Sequence, residues 1–219
     1  MTDGVITVAD VRRARDRIAG LVDPTPVIRS PRLSDRLGVP VWLKLECLQP
    51  PGSFKVRGAA SKMLALDPRE RARGVIACSG GNHGAAVAYV ARLLGVPATV
   101  CVPESVDPVK LRAIRDSGAE AVVQGATYDD AERVSRRLER ERGLSYVHPF
   151  DDPDVIAGQG TLGLELAARE DRLNAVRVVV VKLDFRSWFP RSFALRLKRL
   201  NEGHFDEASV LGRRRTAHG

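Results

Sequence analysis

Apolar residues recur along this chain with two different periods, and the alternation between them marks out its elements. Val11, Ala14, Ile18 and Leu21 share one face of a helix that Thr7 and Asp10 open as a capping-box pair. Asp23-Pro24-Thr25-Pro26 breaks that helix, and Ser30 followed by Pro31 predicts a short second one ending at Gly38. Val41, Leu43 and Leu45 then alternate with Trp42 and Lys44, the pattern of a strand. From Gly74 onward one unit recurs. Short apolar strands are predicted over 74–79, 98–102, 119–123 and 145–148. Between and after them come helices over 82–94, from Pro108 to Gly118, from Thr127 to Gly143, and near 161–170. Three times a helix stops on glycine and an apolar strand begins within a few residues. Strands that are apolar throughout, alternating with helices, predict an α/β fold: a parallel sheet with helices on both faces. The intervals and motifs differ between units, so this is not a solenoid. Ligands of such sheets bind beyond the carboxyl ends of the strands, so chemistry is sought just after them.

Two segments there carry it. Residues 50–60 read PPGSFKVRGAA, a rigid turn running into a helix with Ser53 as the expected N-cap and Lys55 in the first turn. The positive end of a helix dipole disfavours an ammonium, by a few tenths to about 1 kcal/mol, and desolvation would lower the amine pKa further. Such an amine is suited to condense with a carbonyl. The chain has 29 Arg and only six Lys, so a lysine placed against the dipole stands out from its usual choice of cation. The second segment, Ser79-Gly80-Gly81-Asn82-His83-Gly84, joins a strand end to a helix start. Its glycines allow close backbone approach and its N–H groups form an anion site for a carboxylate or phosphate. His83 suits a structural role as well as a catalytic one. Neither G-x-G-x-x-G nor G-x-x-x-x-G-K-[ST] is present.

Composition narrows the setting. At 219 residues with 44% hydrophobic and 28% charged residues the chain is ordinary globular protein. Its longest apolar run is far too short to span a bilayer, and its first residues lack the basic tip and apolar core of a signal peptide. Three widely spaced cysteines, Cys47, Cys78 and Cys101, point to a reduced, cytoplasmic setting. The net charge of +8 does not imply nucleic acid, because +5 of it lies in residues 182–219 and Arg213-Arg214-Arg215 is too short a basic run. Five of the 11 aromatics also fall in that tail, so the character of the chain changes near residue 181. A helix over 192–200 is read there as filler, not as a membrane or partner surface.

Taken together, PGSFKVRGA (51–59), SGGNHG (79–84) and HPFDDPDVIAGQGTLGLEL (148–166) resemble, in order and spacing, the fold-type-II pyridoxal-phosphate enzymes close to threonine/serine dehydratases (threonine ammonia-lyases) and serine racemase. The resemblance covers about residues 7–176 and implies a tryptophan-synthase-β-like, two-domain architecture. It implies pyridoxal 5′-phosphate held by Lys55 as an internal aldimine, with Lys55 later the base at the substrate Cα. Phe54 would lie against the cofactor and Asn82 would reach its 3′-oxygen. Ser79, Asn82 and His83 would hold the carboxylate of a small amino-acid substrate, largely through backbone N–H groups. The implied reaction is β-elimination of L-threonine or L-serine to a 2-oxo acid and ammonia. Serine racemase or 3-hydroxyaspartate dehydratase activity is the nearer alternative; Gly80, where the racemase has a second serine, favours elimination.

The sequence also departs from that family. The strand matching 175–181 should run into a glycine-rich phosphate loop, yet no glycine occurs between Gly163 and Gly203. The expected organisation is therefore an N-terminal part of the larger domain at 1–52, a smaller cofactor-contacting domain at 53–148, a partial return at 149–181, and a divergent basic tail at 182–219. The larger domain is read as truncated. An inactive or weakly cofactor-binding remnant, or an interaction protein that kept the fold, is the other functional class. Exposed sheet surface leads us to expect self-association into a homo-oligomer or poor solubility.

Overall fold

Thr7 caps the first helix, α1 (Val8–Ile18), with the expected capping box to Asp10, and buries Val11, Ala14 and Ile18. The computed structural model describes residues 6–168 and 177–180. A short strand, β1 (Val27–Arg29), follows the prolines, and Ser30 and Pro31 start α2 (Pro31–Leu37), which Gly38 ends in the left-handed conformation. The next strand, β2 (Val41–Lys44), departs from the expected alternation: Lys44 is fully buried while Leu43 is only partly so. Its ammonium is accommodated by Glu165 and by the Thr25 carbonyl at 2.6 Å, so an ion pair replaces the apolar rule.

After a 3-10 turn (Glu46–Leu48), the chain forms α3 (Lys55–Ala65) and α4 (Pro68–Arg73). The four repeating strands come next: β3 (Val75–Cys78), β4 (Ala98–Val102), β5 (Glu120–Val123) and β6 (Ser145–Tyr146). Helices α5 (Asn82–Leu94), α6 (Pro108–Asp116) and α7 (Tyr128–Arg142) connect them, and α8 (Pro153–Ala167) follows. The final described strand is β7 (Arg177–Val180). The α8 helix begins eight residues before the expected 161, because Asp152 caps it and Pro153 occupies its first turn.

The four strands form an all-parallel sheet in the order β5-β4-β3-β6. Period-2 alternation sorts its residues between two helical layers. Val75, Ala77, Val100 and Val102 pack with α3 and α5, while Ile76 and Cys101 pack with Leu138 of α7. Helices thus cover both faces, as expected. The apolar rule weakens at the two edges, where β5 is partly exposed and β6 only partly buried. A second, three-stranded sheet was not anticipated. There β1 pairs antiparallel with β2, and β2 pairs parallel with β7.

Candidate active site at the strand ends

Strand order places the site. The chain moves outward from β3 to β4 to β5, then returns to the other side of β3 as β6. The crevice between β3 and β6 is therefore the switch point of the sheet, where loops leave their carboxyl ends in different directions. Residues 79–81 leave β3 there, and residues 147–149 leave β6.

Both candidate segments meet at this point. Lys55 is the first residue of α3, and its Nζ donates to the Pro149 carbonyl at 2.6 Å. The amine also lies 5.4 Å from the centre of the Phe54 ring. Across the crevice, His83 is buried and its Nε2 makes a 2.8 Å hydrogen bond with the Val147 carbonyl. One short segment, 147–149, is thus engaged from both sides. Burial pushes the His83 pKa down to about 4, with the nearby Lys55 charge adding in the same direction. The ring is therefore neutral, and with Nε2 as donor its Nδ1 is left an acceptor with no partner. This side chain is a strut between the turn and the segment that follows β6.

The turn itself is open on its solvent side. Gly81 precedes α5 with no side-chain cap, its own N–H donating to Ser79 Oγ at 3.2 Å. The first helical bond made into this end is from Ala85 N–H to the Gly81 carbonyl, so the N–H groups of Asn82, His83 and Gly84 point outward at the positive end of the helix. Gly84 has to be glycine, because a Cβ there would lie 2.1 Å from the Ser79 carbonyl oxygen. Gly80 faces a different neighbour, with a Cβ placed 2.9 Å from Val106 Cγ2. Ser53 does not cap α3: Phe54 is the N-cap residue, and the buried Ser53 hydroxyl has no hydrogen-bond partner. An amine, an aromatic ring beside it and the outward amides at the start of α5 are groups whose chemistry suits an aldehyde-bearing aromatic ring and a carboxylate, and two buried polar atoms near them in sequence, Ser53 Oγ and His83 Nδ1, have no hydrogen-bond partner. The glycine-poor segment after β7, where the phosphate loop was expected, lies outside the described residues, as does the 192–200 helix.

The family of pyridoxal-phosphate dependent enzymes has a sequence model that matches residues 18–183. This chain belongs to that family. It is 49% identical over 156 residues to an L-threonine ammonia-lyase of Geobacter sulfurreducens, covering 71% of this chain and 39% of that protein. It is 42% identical over 174 residues to an L-threo-3-hydroxyaspartate ammonia-lyase of Saccharomyces cerevisiae, covering 80% and 53%. Among solved structures, a threonine deaminase from T.th. superposes with a TM-score of 0.70 at 48% identity, over 77% of this chain and 53% of that one. Maize serine racemase superposes with a TM-score of 0.74 at 35% identity, over 78% and 52%. The chain spans about half the length of these relatives or less. The family's cofactor is pyridoxal phosphate, and the neighbours confirm the fold-type-II reading.

The sequence pointed to Lys55, Phe54, Ser79, Asn82 and His83; the structure brings Lys55 and His83 onto one segment, with the Phe54 ring beside the Lys55 amine. The sequence marked 148–166 as a motif but not the role of its start: the Val147 and Pro149 carbonyls, which hold His83 and Lys55, are backbone groups without a residue-type signal. No described helix is long and apolar enough to cross a membrane.

Proposed function

We propose that this chain binds pyridoxal 5′-phosphate at Lys55 and serves β-elimination of L-threonine or L-serine, giving a 2-oxo acid and ammonia. The observation that carries the proposal is the Lys55 amine held at the β3–β6 switch point against Pro149, across from the uncapped start of α5. When bound, the cofactor withdraws electrons from the substrate Cα. Lys55 takes the Cα proton, and its position on α3 keeps Nζ inside the crevice. Phe54 would lie against the cofactor and Asn82 would hydrogen-bond to its 3′-oxygen. Ser79 and the amides of Asn82 and His83 hold the substrate carboxylate at the helix end. Elimination over racemisation is supported at Gly80, which has no side chain to act on the opposite face and whose Cβ direction is filled by Val106.

The same reading takes residues 53–148 as the cofactor-contacting domain, 1–52 and 149–181 as parts of a larger one, and 182–219 as a separate tail. A reducing, cytoplasmic setting is supported by three free cysteines. Burial pushes the Cys78 thiol up to about 12 and the Cys101 thiol up to about 11, so neither is a ready nucleophile.

Absorbance of purified protein with and without added cofactor tests this. A yellow band that is lost in Lys55→Ala, with 2-oxobutanoate released from threonine, is the expected result. A preparation that stays colourless with added cofactor supports the remnant reading instead. Sustained conversion of L-serine to D-serine would overturn the preference for elimination.

A further inference from the structure

Behind α3, on the side away from the crevice, lies a group of four charges, three of them buried and the fourth, Glu165, partly exposed. Lys44 is 0% exposed, and Glu46 and Arg57 are each 1% exposed. Arg57 donates through Nε and Nη2 to the two oxygens of Glu46, both at 2.8 Å. Its Nη1 donates to Glu165 at 2.5 Å and to Thr161 Oγ1 at 3.1 Å, while Lys44 completes the group by pairing with Glu165. Two cations meet two carboxylates, so the group is neutral as a whole. Burial opposes the charge on Arg57, but its bonds to Glu46 and Glu165 outweigh this and raise its pKa above the ordinary value.

Stability alone does not account for such a group, since apolar residues of similar volume often serve as well or better. Its placement suggests another role. Arg57 follows Lys55 by two residues, and at about 100° per residue the two side chains leave α3 in nearly opposite directions. One reaches Pro149 in the crevice; the other is gripped by Glu46 after β2 and by Glu165 on α8. The contact between α3 and α8 fixes distance: a Cβ on Gly58 would lie 2.4 Å from Gln159 Nε2, and one on Gly158 would lie 2.5 Å from the Arg57 carbonyl. A contact between two glycines is smooth, however, and resists rotation of the helix poorly. The guanidinium fork, bound to two separate elements close to Lys55, adds resistance there, beside the Lys62–Asp152 pair at 2.8 Å that ties the far end of α3 to the start of α8.

We propose that Lys44, Glu46, Arg57 and Glu165 are positioning residues that lock the rotation of α3 and thereby aim the Lys55 amine into the crevice. The proposal rests on the reading of Lys55 as the cofactor's attachment point, but its test does not require that reading to hold. Three forms of the full chain are compared: the natural sequence, Arg57→Lys, and a balanced variant carrying Lys44→Met, Glu46→Leu, Arg57→Met and Glu165→Leu. Circular dichroism and urea unfolding establish that each is folded. Should the balanced variant not fold, Glu46→Gln carries the same comparison.

Each is then acetylated without cofactor, and labelling of Lys55 relative to Lys110 on α6 is read by peptide mapping. Separately, each is treated with pyridoxal phosphate and borohydride, and the label is mapped. In the folded variants acetylation of Lys55 is expected to rise about tenfold relative to Lys110, equivalent to about 1.4 kcal/mol, as the amine leaves its carbonyl. Cofactor label at Lys55 is expected to fall by a similar factor. Arg57→Lys should not rescue either, because an ammonium cannot bridge as the fork does. The opposed directions distinguish lost aim from general loosening, which would raise acetylation of Lys110 as well. An unchanged Lys55 to Lys110 ratio in a folded variant overturns the proposal. Failure of the natural chain to take cofactor label at Lys55 would instead overturn the attachment reading and leave the acetylation result to decide this one.

Discussion

His83 shows how one buried side chain can dictate a pH response. Its folded pKa lies near 4 against an ordinary 6.5, so between those values the unfolded chain binds more protons than the folded one. Stability therefore rises with pH through that window, is fully present above about 6.5, and is lost as pH falls toward 4. A shift of this size corresponds to about 3 kcal/mol as an upper figure. His148, whose pKa is also lowered chiefly by its partial burial, adds to the slope in the same sense. Urea unfolding at pH 7.5 and pH 4.5 should show a marked loss on acidification in the natural chain and a much smaller one in His83→Gln. Equal losses in both would remove His83 from this account. Gly84 makes a steric prediction at the same turn. Because the obstacle to a Cβ is the Ser79 backbone, Gly84→Ala should cost on the order of 1–3 kcal/mol and disturb the anion site, measured as a lowered urea midpoint.

Among the elements, α8 separates what a pattern of residue types reveals from what it hides. Gly158 and Gly160 ahead of 161, with Gly163 just after it, weaken the helical signal, which is why the sequence suggests too late a start. Two of them prove to be contact points: Gly158 lies against the backbone of α3, and a Cβ on Gly160 would lie 2.9 Å from Val11 Cγ2 of α1. Gly158→Ala should therefore push α8 away from α3, lowering the thermal midpoint by several degrees, whereas Gly163→Ala, with open space around it, should leave that midpoint unchanged or raise it. If the two variants melt alike, close approach is not what the glycine at 158 provides. Elsewhere the local signals served well. Thr7, Ser30 and Thr127 cap the helices they were expected to cap, because a cap depends on residues three apart. Ser53 is not the cap because α3 begins one residue later, at Lys55, with Phe54 in the N-cap position. The site divides in the same way. Lys55 and residues 79–84 were legible as consecutive motifs, but the bonds of Lys55 to Pro149 and His83 to Val147 span 94 and 64 residues. Such pairs exist only once β6 has returned beside β3, and no short window contains them.

For the molecule as a whole, the described residues carry the proposed attachment end of a cofactor site, and the sequence leaves the phosphate end in question. The amine, the aromatic ring and the outward amides surround the crevice between β3 and β6. A phosphate dianion needs several convergent N–H donors, which glycine-rich loops supply because the backbone can approach closely. After β7 the chain offers Lys182, Leu183, Asp184 and Phe185, with no glycine before Gly203. An acidic residue and bulky side chains in that stretch are poorly suited to cradle the dianion. The cofactor would then be retained chiefly through Lys55 and ring contacts, and attachment through an amine and an aldehyde is reversible in water. Dialysis should accordingly strip most of the cofactor, with the absorbance band returning when it is added back. Borohydride treatment before dialysis should fix it permanently at Lys55. Stoichiometric phosphorus in the dialysed, unreduced chain would overturn this expectation and show that donors elsewhere in the molecule replace the loop.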